Sequence, residues 1–338
     1  ESVEALFDAQ RAANEQGDTQ YAAIAGPAGC FHALVAGQEL EALEAVLNRQ
    51  LAASERTRHR YSEGDIRRQL AFVRCLRGTS ASPTRMVGPG YDEDADSHEQ
   101  ETAGAKNSAS ALAWYQGRLA LTFGNRERAK ERAIRAMLDV GAHQGTQLTP
   151  QIWFLHAIAH LRFDELGVSQ KALALLRGME RAVPTSFGHL ADLVAAERAR
   201  VKSNANEAAR FYELAVRRAQ AAGMPQDAAL AAELAAEFWR QREVPTVATG
   251  YLERARSYYA AWGAGAKVAA LDPHFADRLP SETTSTSSGS ITTTGSSSRF
   301  DLDAVVRASN AIASERTVEG VVRNVLLAIR LARHSANG

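Results

Sequence analysis

QDAALAAELAAEFWRQREVPTVATGYLERARSY, residues 226–258, places small residues at Ala236, Ala248 and Ala255, at successive offsets of twelve and seven. The same offsets relate Ala196, Ala208 and Ala215, and again Gly117, Ala129 and Ala136. Between these positions apolar or small residues return every three or four places, the period of one face of an α-helix. An offset of twelve carries the chain out of one helix and into the next, and an offset of seven then returns to the same face two turns on. Small residues at such places let paired helices approach closely. The sets start ~40 residues apart, with an imperfect unit around 149–182 filling the gap.

These spacings are those of the tetratricopeptide pattern. The expected fold is therefore all-α: a tetratricopeptide-like, right-handed solenoid of helical hairpins, followed by a flexible linker and two amphipathic helices. Helices are expected near 2–16, 19–36, 39–57, 62–77, 108–123, 125–140, 149–165, 168–182, 186–203, 205–221, 226–241 and 245–262, and no stretch alternates as a strand does. Trp114, Trp153, Phe211, Phe238, Trp239, Tyr251 and Tyr258 fall at helical spacing, where a stack would bury them.

Five segments follow from the pattern. Residues 1–78 read as N-terminal hairpins of the solenoid, and 79–107 as an irregular, partly disordered crossover containing Pro83, Pro89 and the acidic run Asp92-Glu93-Asp94-Ala95-Asp96. Residues 108–275 hold the repeats and a C-terminal cap. In 276–299 Ser and Thr dominate, as expected of a flexible linker, and the stretch 281–298 alone has a reach of roughly 20–25 Å. Residues 300–338 resume helical periodicity, with Thr317 as a candidate cap and an apolar stripe of Val305, Ile312, Val318, Val322, Val325 and Ile329. Such a stripe is expected to be a contact surface, for the same helices of a second chain or for an adjacent domain.

Lys plus Arg and Asp plus Glu both number 39, so no single-sign field is available to hold nucleic acid by counterion release. Cys30 and Cys75 are too few for a disulfide framework, which fits a reducing, cytoplasmic setting. No apolar run approaches the ~20 residues of a membrane span, and Glu1 to Gln16 lacks a signal-peptide core. The chain opens on Glu1 and closes on Ala336-Asn337-Gly338, as expected of a segment of a longer protein.

Chemical motifs are incomplete. Gly26-Pro27-Ala28-Gly29-Cys30-Phe31 has glycines but lacks the Lys and Ser/Thr of a phosphate-binding loop, and reads as a proline kink with close helix packing. His156 and His160 share a helical face, but Ala157 stands where a zinc protease carries its glutamate. The acidic run reads as a solvated loop, and Gln100-Glu101-Thr102 does not continue Ser97-His98-Glu99 into a phospho-accepting histidine motif. The expectation is no catalytic, cofactor-binding or metal-binding residue and no cofactor: a segment that is not itself an enzyme.

Certain longer stretches carry a family resemblance. Gln226 to Trp239, Tyr251-Leu252 and the block Tyr259-Ala260-Ala261-Trp262-Gly263-Ala264-Gly265-Ala266-Lys267-Val268-Ala269-Ala270-Leu271 resemble the end of the helical region in large hybrid signalling kinases. Those proteins join a Ser/Thr kinase-like domain, a signal-transduction ATPase, a helical region, a GAF domain and a sensor histidine kinase. Gly17-Asp18-Thr19-Gln20-Tyr21-Ala22-Ala23, Tyr115-Gln116-Gly117-Arg118-Leu119, Phe123-Gly124-Asn125 and the run Leu302 to Ile312 are similar again, the last to the approach to the GAF domain. The chain departs from the family at Gly26-Pro27, which interrupts a helix usually kept continuous. The resemblance implies a parent that is a kinase with ATP-binding domains outside these residues. It also implies a non-catalytic interaction and signal-transmission role here, with protein partners or adjacent domains, among them a GAF-like domain after residue 338 or a second copy through 300–338. Two further readings stand beside it: a small-molecule or peptide-binding regulatory solenoid of a signal-transduction ATPase or transcription activator, and an enzyme built on an all-α cavity.

Overall fold

The computed structural model describes residues 2–278, which are almost entirely α-helical. In chain order the helices are α1 (Ser2–Glu15), α2 (Thr19–Val35), α3 (Leu40–Thr57), α4 (Arg60–Arg77), α5 (Glu93–Thr102), α6 (Lys106–Thr122), α7 (Arg126–Leu138), α8 (Leu148–Leu161), α9 (Ser169–Ala182), α10 (Pro184–Val201), α11 (Ala205–Ala221), α12 (Pro225–Gln241), α13 (Pro245–Trp262) and α14 (Gly265–Leu271). Local chemistry sets their starts. Asp18, Asn125 and Asn204 accept from the backbone N–H of Tyr21, Arg128 and Glu207, and Pro184, Pro225 and Pro245 occupy first-turn positions where no N–H is needed. Gly78 and Gly263 end α4 and α13 in the left-handed conformation that glycine adopts without penalty.

Neighbouring helices pack in pairs: α1 with α2, α3 with α4, α6 with α7, α8 with α9, α10 with α11 and α12 with α13. A second layer of contacts links α4, α6, α8, α10 and α12 in a row. Burial follows this division. Helix α6 is buried from Leu112 through Thr122, whereas its partner α7 buries only Ala129, Ala133 and Ala136. A helix that is apolar or small on most sides belongs inside, and one with a narrow apolar stripe belongs outside.

All nine small residues of the repeated sets are buried at these contacts. Gly117 shows why size matters there: a Cβ on it would lie 2.9 Å from the Leu155 side chain and 3.2 Å from Arg132 Cβ. Ser110 Oγ reaches across the same pair to donate to the Ala136 carbonyl at 2.8 Å. The imperfect unit keeps the same geometry. Ala157, Ser169 and Leu176 repeat the offsets of twelve and seven, and all three are fully buried. Leu176 occupies a place held by alanine in the other sets, which hides the unit from a search for small residues.

The row of helices returns on itself. Helix α14 packs against α4, and Gln226 Nε2 donates to the Val35 carbonyl at 2.8 Å. The backbones are close enough that a Cβ on Gly265 would sit 2.9 Å from the Arg77 carbonyl. Gly37, at φ +83°, leaves room for the Pro225 ring, which would lie 2.7 Å from an added Cβ.

Three expectations are corrected here. The second half of the crossover is not irregular: it contains a short antiparallel pair, β1 (Val87–Gly88) and β2 (Tyr91–Asp92), and then α5, whose N-terminus Asp92 caps. The acidic run is not simply solvated either. Glu93 is fully buried and accepts from Arg128 at 2.5 Å and from the Met86 N–H at 3.2 Å, while Asp96 accepts from Arg68 and the Tyr91 hydroxyl, each at 2.7 Å. Arginines from distant helices neutralise carboxylates that composition alone assigns to water. Finally, Gly26-Pro27 does not interrupt its helix, since α2 runs unbroken from Thr19 to Val35. Gln69 Nε2 donates to the Pro27 carbonyl at 3.1 Å, and the space a Cβ on Gly26 would need is taken by the mutually bonded Gln10 and Gln50 amides.

Among the described residues no helix is long and apolar enough to cross a membrane. Ala157→Leu and Ala196→Leu are each expected to overpack a helix contact and lower unfolding stability by ~1–3 kcal/mol in a denaturant titration. Unchanged midpoints in both variants would show that the repeated offsets do not mark close helix approach.

Candidate functional site

Burying the inner helices removes their polar side chains from water, so these are satisfied by other side chains and by backbone carbonyls. Arg118 on α6 donates through Nη2 to Asp227 Oδ1 at 2.8 Å, and His189 Nε2 on α10 lies 3.1 Å from Asp227 Oδ2. Asp227 stands in the first turn of α12, so three helices of the row meet in this group. Burial alone would push the Asp227 carboxyl up, but the Arg118 charge and the His189 contact outweigh it and hold it below the usual carboxylate range.

A second group lies further along the row. Glu197 on α10 is fully buried and accepts from the Tyr212 hydroxyl on α11, from Arg200 at 3.0 Å and from Arg162 at 3.4 Å. Arg162 also pairs with Glu237 on α12, which Arg126 reaches from the N-terminus of α7. Burial raises the Glu237 carboxyl less than the nearby Arg162 and Arg126 lower it, so it too is held down. A third group joins Asp192 on α10 to Arg177 at 2.6 Å and Arg218 at 3.0 Å.

Where the ends of the row meet there is a half-enclosed pocket of about 20 Å³, room for one water-sized group. Leu34, Val35 and Phe72 form its apolar wall, and Trp114, Arg118, Gln151, Gln226, Asp227 and Trp262 complete it. Trp114 is held by aromatic contacts, its ring 5.4 Å from Phe31 and 5.0 Å from Tyr115 between centroids. Arg118 Nη1, Trp114 Nε1 and Trp262 Nε1 are buried and have no hydrogen-bond partner. An unpaired buried donor is costly, so three on one small pocket mark it as the chemically unfinished part of the inner face.

The sequence did not single out this pocket. Tyr115-Gln116-Gly117-Arg118-Leu119 and the block Tyr259 to Leu271 carry the family resemblance, and the arginine adjoining the packing glycine is the available signal. The nine small residues lie at helix contacts rather than around a cavity, and Val305, Ile312, Val318, Val322, Val325 and Ile329 fall outside the described residues. His156 and His160 do meet, with ring centroids 4.5 Å apart, and His160 Nδ1 lies 2.6 Å from Glu165. No group of three or more His, Cys, Asp or Glu able to hold a metal occurs among the described residues. Compared with known proteins, the chain matches no family model and no curated sequence.

Burial, and then the neighbouring His160, push His156 down to about 4. Its folded value lies below the unfolded value of ~6.5, so the neutral ring contributes stability that is complete above that pH and is lost as pH falls toward 4. His156→Gln is expected to flatten the loss of melting temperature between pH 6.5 and 4 relative to the unmodified chain. A parallel pH profile in both proteins would rule out a buried neutral His156.

Proposed function

We propose that this chain is a non-catalytic protein-interaction and signal-transmission segment of a multidomain signalling kinase. The helix pairs are the hairpins of a right-handed, tetratricopeptide-like stack, cytoplasmic in setting. Residues 276–299 tether it, and the helices expected in 300–338 pass its state to the domain that follows. The observation that carries this reading is the return of α14 and α12 onto α4 and the end of α2, through Gln226, Val35, Gly265 and Arg77.

The return ties the first helix pairs to the last, so a partner that displaces α1 to α4 also works against the C-terminal end. The buried ion pairs between inner helices stiffen the same path. Arg118 and Asp227, for example, are 109 residues apart in the chain. Exposed large apolar residues such as Tyr21, Ile24 and Tyr61 on α2 and α4 offer places for a protein partner to begin such a displacement.

In the longer protein, Val322→Asp combined with Val325→Asp is expected to cut signal output severalfold, because an unpaired carboxylate is not buried cheaply in an apolar seam. Thermal unfolding of 1–278 should be unaffected. Undiminished output together with unchanged oligomeric state in sedimentation would sink the transmission role of that stripe.

A further inference from the structure

Another cavity lies away from the meeting of the two ends, between α3, α4 and the β1–β2 hairpin. It is half-enclosed, with room of about 100 Å³, and its apolar wall is formed by Leu51, Leu70, Ala71, Val87, Pro89 and Tyr91. We propose that this cavity binds a small uncharged molecule built on a single aromatic ring, whether or not the chain transmits a signal. The outer wall is pinned in place. Ser80 Oγ donates to the Val87 carbonyl at 2.9 Å, Cys75 Sγ to the Arg85 carbonyl at 3.2 Å and Arg128 Nη1 to the Thr84 carbonyl at 2.7 Å. Met86 is fully buried, with its N–H bonded to Glu93. These bonds hold the hairpin over α4 without closing the space beneath it, so the cavity is formed before a ligand arrives.

Charge and space select the ligand. Arg67 and Arg74, two turns apart on α4, also line the cavity, but both are already matched. Arg67 Nη2 donates to Glu55 at 2.8 Å, and Arg74 donates through Nε to Glu44 at 2.8 Å and through Nη2 to Asn48 at 3.2 Å. An anion therefore finds no unpaired positive charge, and the lining residues include no carboxylate to receive a cation. The Ser80 and Tyr91 hydroxyls are engaged as well, with the Val87 carbonyl and with Asp96. What the cavity still offers is apolar wall and the faces of two guanidiniums whose edges are bonded, and such a face stacks on an aromatic ring. A closed cavity of about 150 Å³ takes benzene. The smaller space here suits one ring, with any substituent directed to the open side.

The test is an amide and indole nitrogen–proton spectrum of labelled 1–338, titrated with benzyl alcohol at neutral pH. The amide signals of Ala71, Gly88 and Tyr91 are expected to move together and saturate, while the indole signal of Trp153 on α8 stays still. Benzoate keeps the ring and adds a charge, whereas cyclohexylmethanol keeps the size and the hydroxyl without the aromatic face. Each is expected to bind more weakly than benzyl alcohol by about threefold or more. Ala71→Leu, which fills the space from the α4 wall, is expected to weaken benzyl alcohol binding about tenfold. Benzoate binding as tightly as benzyl alcohol overturns the uncharged assignment, and cyclohexylmethanol doing so overturns the aromatic one. Undiminished binding by folded Ala71→Leu puts the ligand elsewhere and overturns the site. Absence of saturable movement up to about 50 mM benzyl alcohol, beyond the millimolar range expected of so small a ligand, overturns the site as well. That result is read on the unmodified chain, so it stands even if Ala71→Leu fails to fold.

Discussion

The polar side chains buried on the inner row of helices must look for partners within the protein, because α4, α6, α8, α10 and α12 are covered on most sides by other helices. That constraint organises the rest. It explains why Glu197, with no exposure at all, gathers Arg162, Arg200 and Tyr212 around it, and why Asp227 sits between Arg118 and His189. Breaking one member of such a group strands a buried charge, which costs more than the intact pair contributes. The groups therefore fix which helices neighbour one another more than they add net stability.

The same constraint gives the small residues their role. Gly117, Ala157, Ala196 and Ala236 recur near forty-residue intervals on consecutive inner helices, and each permits the close approach that buries the row. Outer helices meet them with Ala129, Ser169, Ala208 and Ala248. Close approach then leaves little space for irregular packing. The one small pocket described above lies where the ends of the row meet, at the place where the repeating geometry has to be closed by α2, α4 and the end of α13.

Much of this order can be read in the chain before any coordinates. The offsets of twelve and seven depend only on helix geometry and turn length, so three of four units were visible, and the twelve expected helices fall close to their observed bounds. The fourth unit escaped because its later positions are Ser169 and Leu176, a polar and a large residue that fit only once their neighbours are known. Partnerships across the fold were not legible. Nothing local in Asp92 to Asp96 announces that Arg128 and Arg68 will neutralise two of its carboxylates, and nothing near Arg118 points to a carboxylate 109 residues away. The pocket belongs to the same class, since its donors come from α6 and the end of α13 and become neighbours only when the two ends meet.

The central claim is that the first and last helix pairs are joined into one mechanical unit. Native-state hydrogen exchange of the chain reads this directly, because segments that open together exchange with the same free energy. The account requires α4 and α14 to share one opening free energy, and Gly265→Val, which crowds the Arg77 carbonyl, to lower protection in both by the same amount. Exchange in α1 to α4 at a distinctly lower free energy, with α12 to α14 still protected and indifferent to Gly265→Val, would contradict it.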